Sequence, residues 1–429
     1  MIIKNILAFL IYFALVFIVL AVGFFAYLKW FQPAFNFPKP TGKYAVGIKT
    51  YHWIDNQRKE TFSEDPGHPH RELMVKIWYP AEDSLREIAN TPYAPYFIDY
   101  FKNNKSLIWL LLTRPMFTYA KPALPLVHDV SQFPVIIFSP GFRGILDGNT
   151  SKCEELASHG YIVIGTSHPY DNSVVQFPDG RIIDGLASIA KRKSRSGEGP
   201  MQEAKIIDDS AEIWFADIQF ILKQLDHLAQ DKSSIFYQRV DQNNIGMVGH
   251  SMGGSTAIQT ALFDDRIKAI VNLDGALFGP KITKKLDKPC MVLLSESGVK
   301  FYERPFTQRE WKTYGINSAE EERTLKETSY IPILAQLEQS AQHDFYTFVI
   351  KGTGHFDFSD LALLKVASPI VNIIAILKGS IIKVGPINGT KATKIINEYL
   401  LAFFNKYLKE IPSELLDSKK KKYAEVELR

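Results

Sequence analysis

The sequence predicts an α/β protein: a mostly parallel central sheet with helices on both faces, preceded by an apolar N-terminal helix long enough to span a membrane. Three observations predict it. Short β-branched runs alternate with helix-period segments, a Gly-x-Ser-x-Gly turn sits between a strand and a helix, and Asn5 to Leu28 carries no charge. Of the 429 residues, 46% are hydrophobic and 22% charged, the balance of a chain with a large core rather than a disordered or collagen-like one. The 50 Lys+Arg against 46 Asp+Glu leave a charge of +4, too small to argue for a nucleic-acid partner. Cys153 and Cys290 are the only cysteines, too few for a disulfide framework or a structural zinc site.

At about 1.5 Å per residue, the Asn5–Leu28 run is long enough to cross a hydrocarbon layer of roughly 30 Å. Phe24, Phe25, Tyr27, Trp30 and Phe31 on its C-terminal flank suit the membrane interface. No small-residue cleavage site follows it, which favours an uncleaved anchor over residues 1–30 rather than a signal peptide. Lys4 on one side and Lys29, Lys39 and Lys43 on the other weakly favour a cytoplasmic C-terminal side, a bias that large domains override; sidedness is left open. A linker with Pro33, Pro38 and Pro40 over 31–43 leads to a catalytic domain expected over 44–410, followed by a basic tail over 411–429 containing Lys419–Lys422.

Buried strands are expected at Leu73–Tyr79, Val135–Ser139, Tyr161–Thr166, Ile245–Gly249, Ala269–Leu273, Met291–Leu294 and Tyr346–Ile350, where apolar residues run without alternation. Helical periodicity fills Ser151–His159, Ala211–Leu228 and Ser255–Phe263. Strand and helix in this alternation give a parallel sheet.

The most specific signal is Gly249-His250-Ser251-Met252-Gly253, directly after one expected strand and before a helix, the context this motif requires. Glycines on either side let strand and helix approach, and the Ser251 hydroxyl is presented at the end of the sheet. A hydroxyl becomes a nucleophile only when a base removes its proton, so a histidine oriented by a carboxylate is required. His355 is the candidate base, in a loop just after Tyr346–Ile350, whereas His250 is expected to face away. For the acid, Asp274 ends one strand and Glu296 the next. Asp274 is preferred and Glu296 is the alternative, with Asp357 and Asp360 further behind. Two amides must face the developing oxyanion; position suggests Met252, after the nucleophile, and Phe142, in the loop Pro140-Gly-Phe-Arg-Gly144. No metal site or organic cofactor is implied.

The runs Phe138-Ser-Pro-Gly-Phe142, Tyr161-Ile-Val-Ile-Gly-Thr-Ser-His-Pro-Tyr170, Gly-His-Ser-Met-Gly-Gly254 and Asn272-Leu-Asp-Gly-Ala-Leu-Phe278, with Gly352-Thr-Gly-His355 and Ile395–Phe404, resemble the platelet-activating factor acetylhydrolases of the plasma and isoform II type. That resemblance implies an α/β-hydrolase fold and calcium-independent release of short or oxidised acyl chains from phospholipids. It carries the acid onto Asp274 and the oxyanion donors onto Phe142 and Met252. The chain departs in having Pro140 before the oxyanion-loop glycine, and in an insertion at about 300–342 that is expected at the mouth of the site. The apolar runs Ser106–Thr113 and Leu361–Leu377 are too short or broken to span and fit either interfacial helices or lid packing. The implied partners are a phospholipid or other ester substrate and the membrane. A general carboxylesterase or other acyl hydrolase on the same fold, or a non-catalytic membrane-tethered binding protein, are the competing readings; oligomeric state leaves no mark in the sequence.

Overall fold

A strand covered on both faces needs apolar residues at every position, and the central runs of this chain meet that condition. The computed structural model describes residues 2–31, 37–63, 65–83, 89–103, 116–196, 200–279, 282, 284–327, 330–363, 384–418 and 421–429. The run Ser106–Thr113 lies outside the described residues, as do Leu361–Leu377 beyond Leu363, Pro33, and Lys419. In chain order the strands are β1 (Ala45–Lys59), β2 (His70–Ala81), β3 (Lys121–Pro122), β4 (Phe133–Ser139), β5 (Ile162–Thr166), β6 (Val174–Gln176), β7 (Ile182–Asp184), β8 (Val240–His250), β9 (Ile267–Leu273), β10 (Cys290–Ser295), β11 (Phe345–Ile350) and β12 (Val426–Leu428). The main sheet runs β12, β11, β10, β9, β8, β4, β5, β2, β1, β3 from edge to edge, with β6 and β7 a separate hairpin. Strands β5, β4, β8, β9, β10 and β11 are parallel, and β12 and β2 flank them antiparallel.

The helices are α1 (Ile2–Phe31), α2 (Pro95–Asn103), α3 (Thr150–Ser158), α4 (Gly185–Ser196), α5 (Pro200–Gln230), α6 (Met252–Phe263), α7 (Glu296–Glu303), α8 (Gln308–Tyr314), α9 (Ala319–Glu327), α10 (Tyr330–Ser340), α11 (Gly389–Leu408) and α12 (Glu414–Asp417). They cover the sheet from both sides. Val135 and Ile137 of β4 pack with Ile218 and Ile221 of α5 and Ala257 and Ile258 of α6. Ile136 and Phe138, on the other face, pack with Leu156 and Ala157 of α3 and Phe403 and Phe404 of α11. Phe404 closes over β8 where Gly246 leaves room: a Cβ at Gly246 would stand 2.6 Å from the Phe404 ring. Helix α1 has an apolar span at Asn5–Phe24 that is uncovered by the rest of the chain.

The structure adds one strand and alters two expectations. Strand β1, whose sequence Thr50-Tyr-His-Trp-Ile-Asp-Asn-Gln-Arg-Lys59 is too polar to read as buried, pairs with β2 and is covered on only part of its length. The 411–429 stretch, expected as a tail, adds β12 to the sheet beside β11 and buries Leu416 and Val426 in the core. The 300–342 insertion holds the end of α7 and all of α8, α9 and α10, and Leu334 and Leu337 of α10 join the core on the α5 side. Truncating Phe404 to alanine empties a fully buried site, and urea unfolding of the detergent-solubilised chain is expected to show a loss of about 3–5 kcal/mol.

Candidate active site

The turn from β8 to α6 is tight because backbone meets backbone. A Cβ at Gly249 would lie 2.1 Å from the Gly253 carbonyl, and one at Gly253 would lie 2.1 Å from Ser139 O of β4. Between them Ser251 takes φ 56° and ψ −123°, a conformation that costs a non-glycine residue of order 1–3 kcal/mol and persists only where its surroundings fix it. Here the Ser251 amide donates to Leu273 O at 2.9 Å, and Gly254 N–H donates to Ser251 O at 2.9 Å.

Parallel register brings the other candidates to the same edge. Gly249 pairs with Asn272 and Leu273 with Leu293, so the turn after β9 lies beside the turn after β8. Asp274 sits there at φ 53°, a left-handed conformation that aspartate tolerates. Its amide donates to Leu293 O at 2.8 Å, and its Oδ1 accepts from Ser295 N–H at 2.7 Å. Asn272 braces this turn, with Gly275 N–H donating to its Oδ1 at 2.7 Å and its Nδ2 donating to Gly275 O at 2.8 Å. His355 opens a 3-10 turn, His355–Phe358, beyond β11, and its Nδ1 donates to Asp274 Oδ2 at 2.7 Å. With the proton on Nδ1 the other ring nitrogen, Nε2, keeps its lone pair. Asp274 is buried while His355 is part-exposed, and His355 and Ser251 line one cavity.

Glu296 is engaged elsewhere: its Oε2 accepts from Gly352 N–H at 2.9 Å and its Oε1 pairs with Lys300 at 2.8 Å. Those two contacts hold its carboxyl below the usual range. Asp357 accepts from the amides of Gly354 and Gly385, and Asp360 is bound to Ser151. His250 does not face away. Its ring lies 4.7 Å from that of His355, and its Nε2–H donates to the His355 carbonyl at 2.9 Å. Burial, followed by the neighbouring His355, drives the His250 imidazole well below its ordinary value and keeps it neutral.

The loop after β4 hangs on the loop after β5. Arg143 N–H donates to Asp171 O at 2.8 Å, Ser173 N–H donates to Gly144 O at 2.9 Å, and the Ser173 hydroxyl donates to Arg143 O. Among the described residues the Phe142 amide makes no hydrogen bond, and Met252, as the first residue of α6, has an N–H without an intrahelical acceptor. Under the loop lies a fully buried relay. Ser139 Oγ and His168 Nε2 are 3.0 Å apart, and His168 Nδ1 donates to Asp217 Oδ2 at 2.8 Å. Arg71 grips the same carboxylate through Nε at 3.1 Å and Nη2 at 2.8 Å. The His168 ring stacks 3.8 Å from Trp214, whose Nε1–H donates to Asp171 at 2.8 Å. Burial would raise the Asp217 carboxyl, but Arg71 and His168 outweigh it and hold it below the carboxylate range. Burial lowers the His168 imidazole.

The cavity beside Ser251 holds about 250 Å³ and is walled by Tyr93, Phe97, Met116, Phe142, Ile145, Phe356 and Leu361. Among the described residues, none from 300–342 lines it, so the insertion does not sit at the mouth as expected. The sequence profile described as platelet-activating factor acetylhydrolase, isoform II, matches residues 30–177 and 223–421, most of the chain. The chain belongs to the platelet-activating factor acetylhydrolase isoform II family. A protein of Arthroderma benhamiae named a probable 1-alkyl-2-acetylglycerophosphocholine esterase is 26% identical over 306 residues, 70% of this chain and 66% of that protein, just under two thirds of it. The platelet-activating factor acetylhydrolase of Cavia porcellus is 24% identical over 399 residues, 86% of this chain and 78% of that protein. A ferulic acid esterase from Streptomyces cinnamoneus superposes with a TM-score of 0.67 at 23% identity, covering 92% of this chain and 99% of its own; that likeness establishes the fold as α/β-hydrolase.

Sequence inspection passes over two groups in this family member. Tyr93, Phe97 and Met116 lie in segments without clear periodicity, and no local signal ties them to Ser251. His168 stands in the family run Tyr161–Tyr170, but its partners Asp217 and Arg71 are remote in sequence. Asn149, in a glycosylation pattern, is buried at the start of α3 and lines the cavity, which excludes a glycan there. The ordinary histidine value is 6.5, and burial lowers both His168 and His250 below it. Below pH 6.5 the unfolded chain therefore binds protons that the folded chain excludes, and stability falls as pH falls. Urea titrations from pH 7.5 down to 5 are expected to show this slope, and His168→Phe, which preserves the stack on Trp214, is expected to flatten it.

Proposed function

We propose that this chain is a serine ester hydrolase that releases short acyl groups from phospholipid-like esters, with Ser251, His355 and Asp274 as its triad. The observation that carries the proposal is the His355 Nδ1–H to Asp274 bond of 2.7 Å, which leaves Nε2 basic in the cavity that Ser251 enters from its strained turn. As Ser251 Oγ bonds to the ester carbonyl carbon, its proton moves to His355 Nε2, and Asp274 stabilises the imidazolium. The carbonyl oxygen becomes an oxyanion held by the amides of Phe142 and Met252. The C–O bond then breaks, the imidazolium protonates the leaving lyso-lipid oxygen, and an acyl-serine remains. Water, deprotonated by His355, attacks the acyl-serine; the carboxylic acid leaves and Ser251 regains its proton.

A cavity of about 250 Å³ lies below the range of roughly 300–1,000 Å³ that holds drug-sized ligands, which favours a short acyl group. The acetyl ester in the names of the fungal and guinea-pig relatives fits that size. Residues 1–30 are read as an uncleaved membrane anchor, on the strength of the apolar Asn5–Phe24 span, and the residues after Phe37 through β12 as the catalytic body.

Hydrolysis of a 2-acetyl phospholipid and of para-nitrophenyl acetate, measured side by side, tests the proposal. Ser251→Ala is expected to lower kcat on both by about 10⁴-fold or more, and Asp274→Asn by about 10⁴-fold through loss of the correct imidazole tautomer. Full activity in either variant overturns the assignment, and activity on the soluble ester alone overturns the phospholipid part. His168→Ala, which loosens the loop bearing Phe142, is expected to lower kcat by about 10-fold or more while KM stays nearly unchanged, the signature of an interaction made only in the transition state.

A further inference from the structure

The chain from Phe37 onward is docked on the wall of the Ser251 cavity. Phe37, six positions past Phe31 at the end of α1, is only 2% exposed, and its ring lies 4.7 Å from that of Tyr93. It shares a cluster with Tyr93, Ala94, Ile145, Phe97 and Met116, all of which also line the cavity. The chain stays fixed beyond it: Thr41 N–H donates to Glu155 Oε2 at 2.9 Å and Gly42 N–H to Ser158 Oγ at 3.0 Å, both on α3.

Covalent geometry turns this into a distance from the bilayer. With Asn5–Phe24 in the hydrocarbon layer, the remaining turns of α1 to Phe31 rise about 10 Å, enough to cross the interfacial zone. From Phe31 to Phe37 the chain reaches at most about 20 Å even fully extended. Whatever the tilt of α1, the wall that Phe37 supports stands within that radius of the surface. That wall is apolar, and among the described residues the cavity lining contains Arg143 and no carboxylate, a composition compatible with a phosphate-bearing lipid.

We propose that the short tether between α1 and the docked Phe37 holds the mouth of the Ser251 cavity on the bilayer that carries α1, so that the enzyme takes lipid esters from its own membrane in preference to those in solution or in another membrane. This inference rests on the ester-hydrolase and anchor readings above. A tether this short keeps the cavity at a high effective concentration of the lipids around the anchor, and that advantage decays as the tether lengthens.

The test uses the full chain reconstituted in phosphatidylcholine vesicles. A 2-acetyl phospholipid is placed either in the same vesicles or in separate vesicles without enzyme, and para-nitrophenyl acetate is the soluble reference. The variant carries about twenty Gly/Ser residues inserted between Pro33 and Ala34, a flexible addition of roughly 25 Å r.m.s.. The unmodified chain is expected to hydrolyse same-vesicle lipid at least about tenfold faster than separate-vesicle lipid, and the insertion to bring that ratio to within about twofold with the soluble rate unchanged. Equal rates on the two vesicle populations in the unmodified chain, or an undiminished ratio in the variant, overturn the inference. Absence of soluble-ester hydrolysis overturns the hydrolase reading, and release of the chain by alkaline carbonate overturns the anchor reading; each is seen separately and removes the inference with it.

Discussion

The close approach of β8 and α6 is the constraint on which the site depends. Gly249 and Gly253 leave the turn no room for side chains, so the strain falls on Ser251, the residue between them. A strained residue relaxes unless its neighbours hold it, and here the hold comes from the strand on one side and the helix on the other. Leu273 O takes the Ser251 amide, and the next residue along β9 is Asp274. The bond that fixes the serine and the carboxylate that orients the histidine thus come from one turn.

Electrostatics supplies the second support. Arg71, His168 and Asp217 are buried together, and breaking the Arg71–Asp217 ion pair from one side costs several kcal/mol. Such a cluster adds little stability over an apolar one, but it fixes geometry. Through His168 and Trp214 it sets the loop at Asp171–Ser173, and through that loop the position of Phe142. The neutral, buried His250 packs against His355 and braces that ring from the other side.

Membership of the platelet-activating factor acetylhydrolase isoform II family accounts for the sheet, the turn and the loops at its edge. The residues that follow α1 meet the body of the protein at Phe37. Among the described residues nothing covers the apolar span Asn5–Phe24, and Phe37, six positions past the end of α1, packs behind the cavity that Ser251 lines.

The amino-acid sequence by itself determined the parallel core strands, the turn bearing Ser251 and the histidine at 355, because each is written in a local pattern: continuous apolar runs, glycines at fixed spacing, a loop after a strand. Tertiary structure placed Asp274, the carboxylate the sequence preferred, against His355 Nδ1, while the Gly352 amide and Lys300 occupy Glu296. It also placed β12 at one edge of the sheet and β1 next to the other edge, because partly exposed polar strands lack the apolar pattern that marks buried ones. The Arg71–Asp217–His168 cluster and the seat of Phe37 on Tyr93 join residues far apart in the chain. No local pattern encodes such pairs; they exist only once the sheet has set its register and the helices have closed over it.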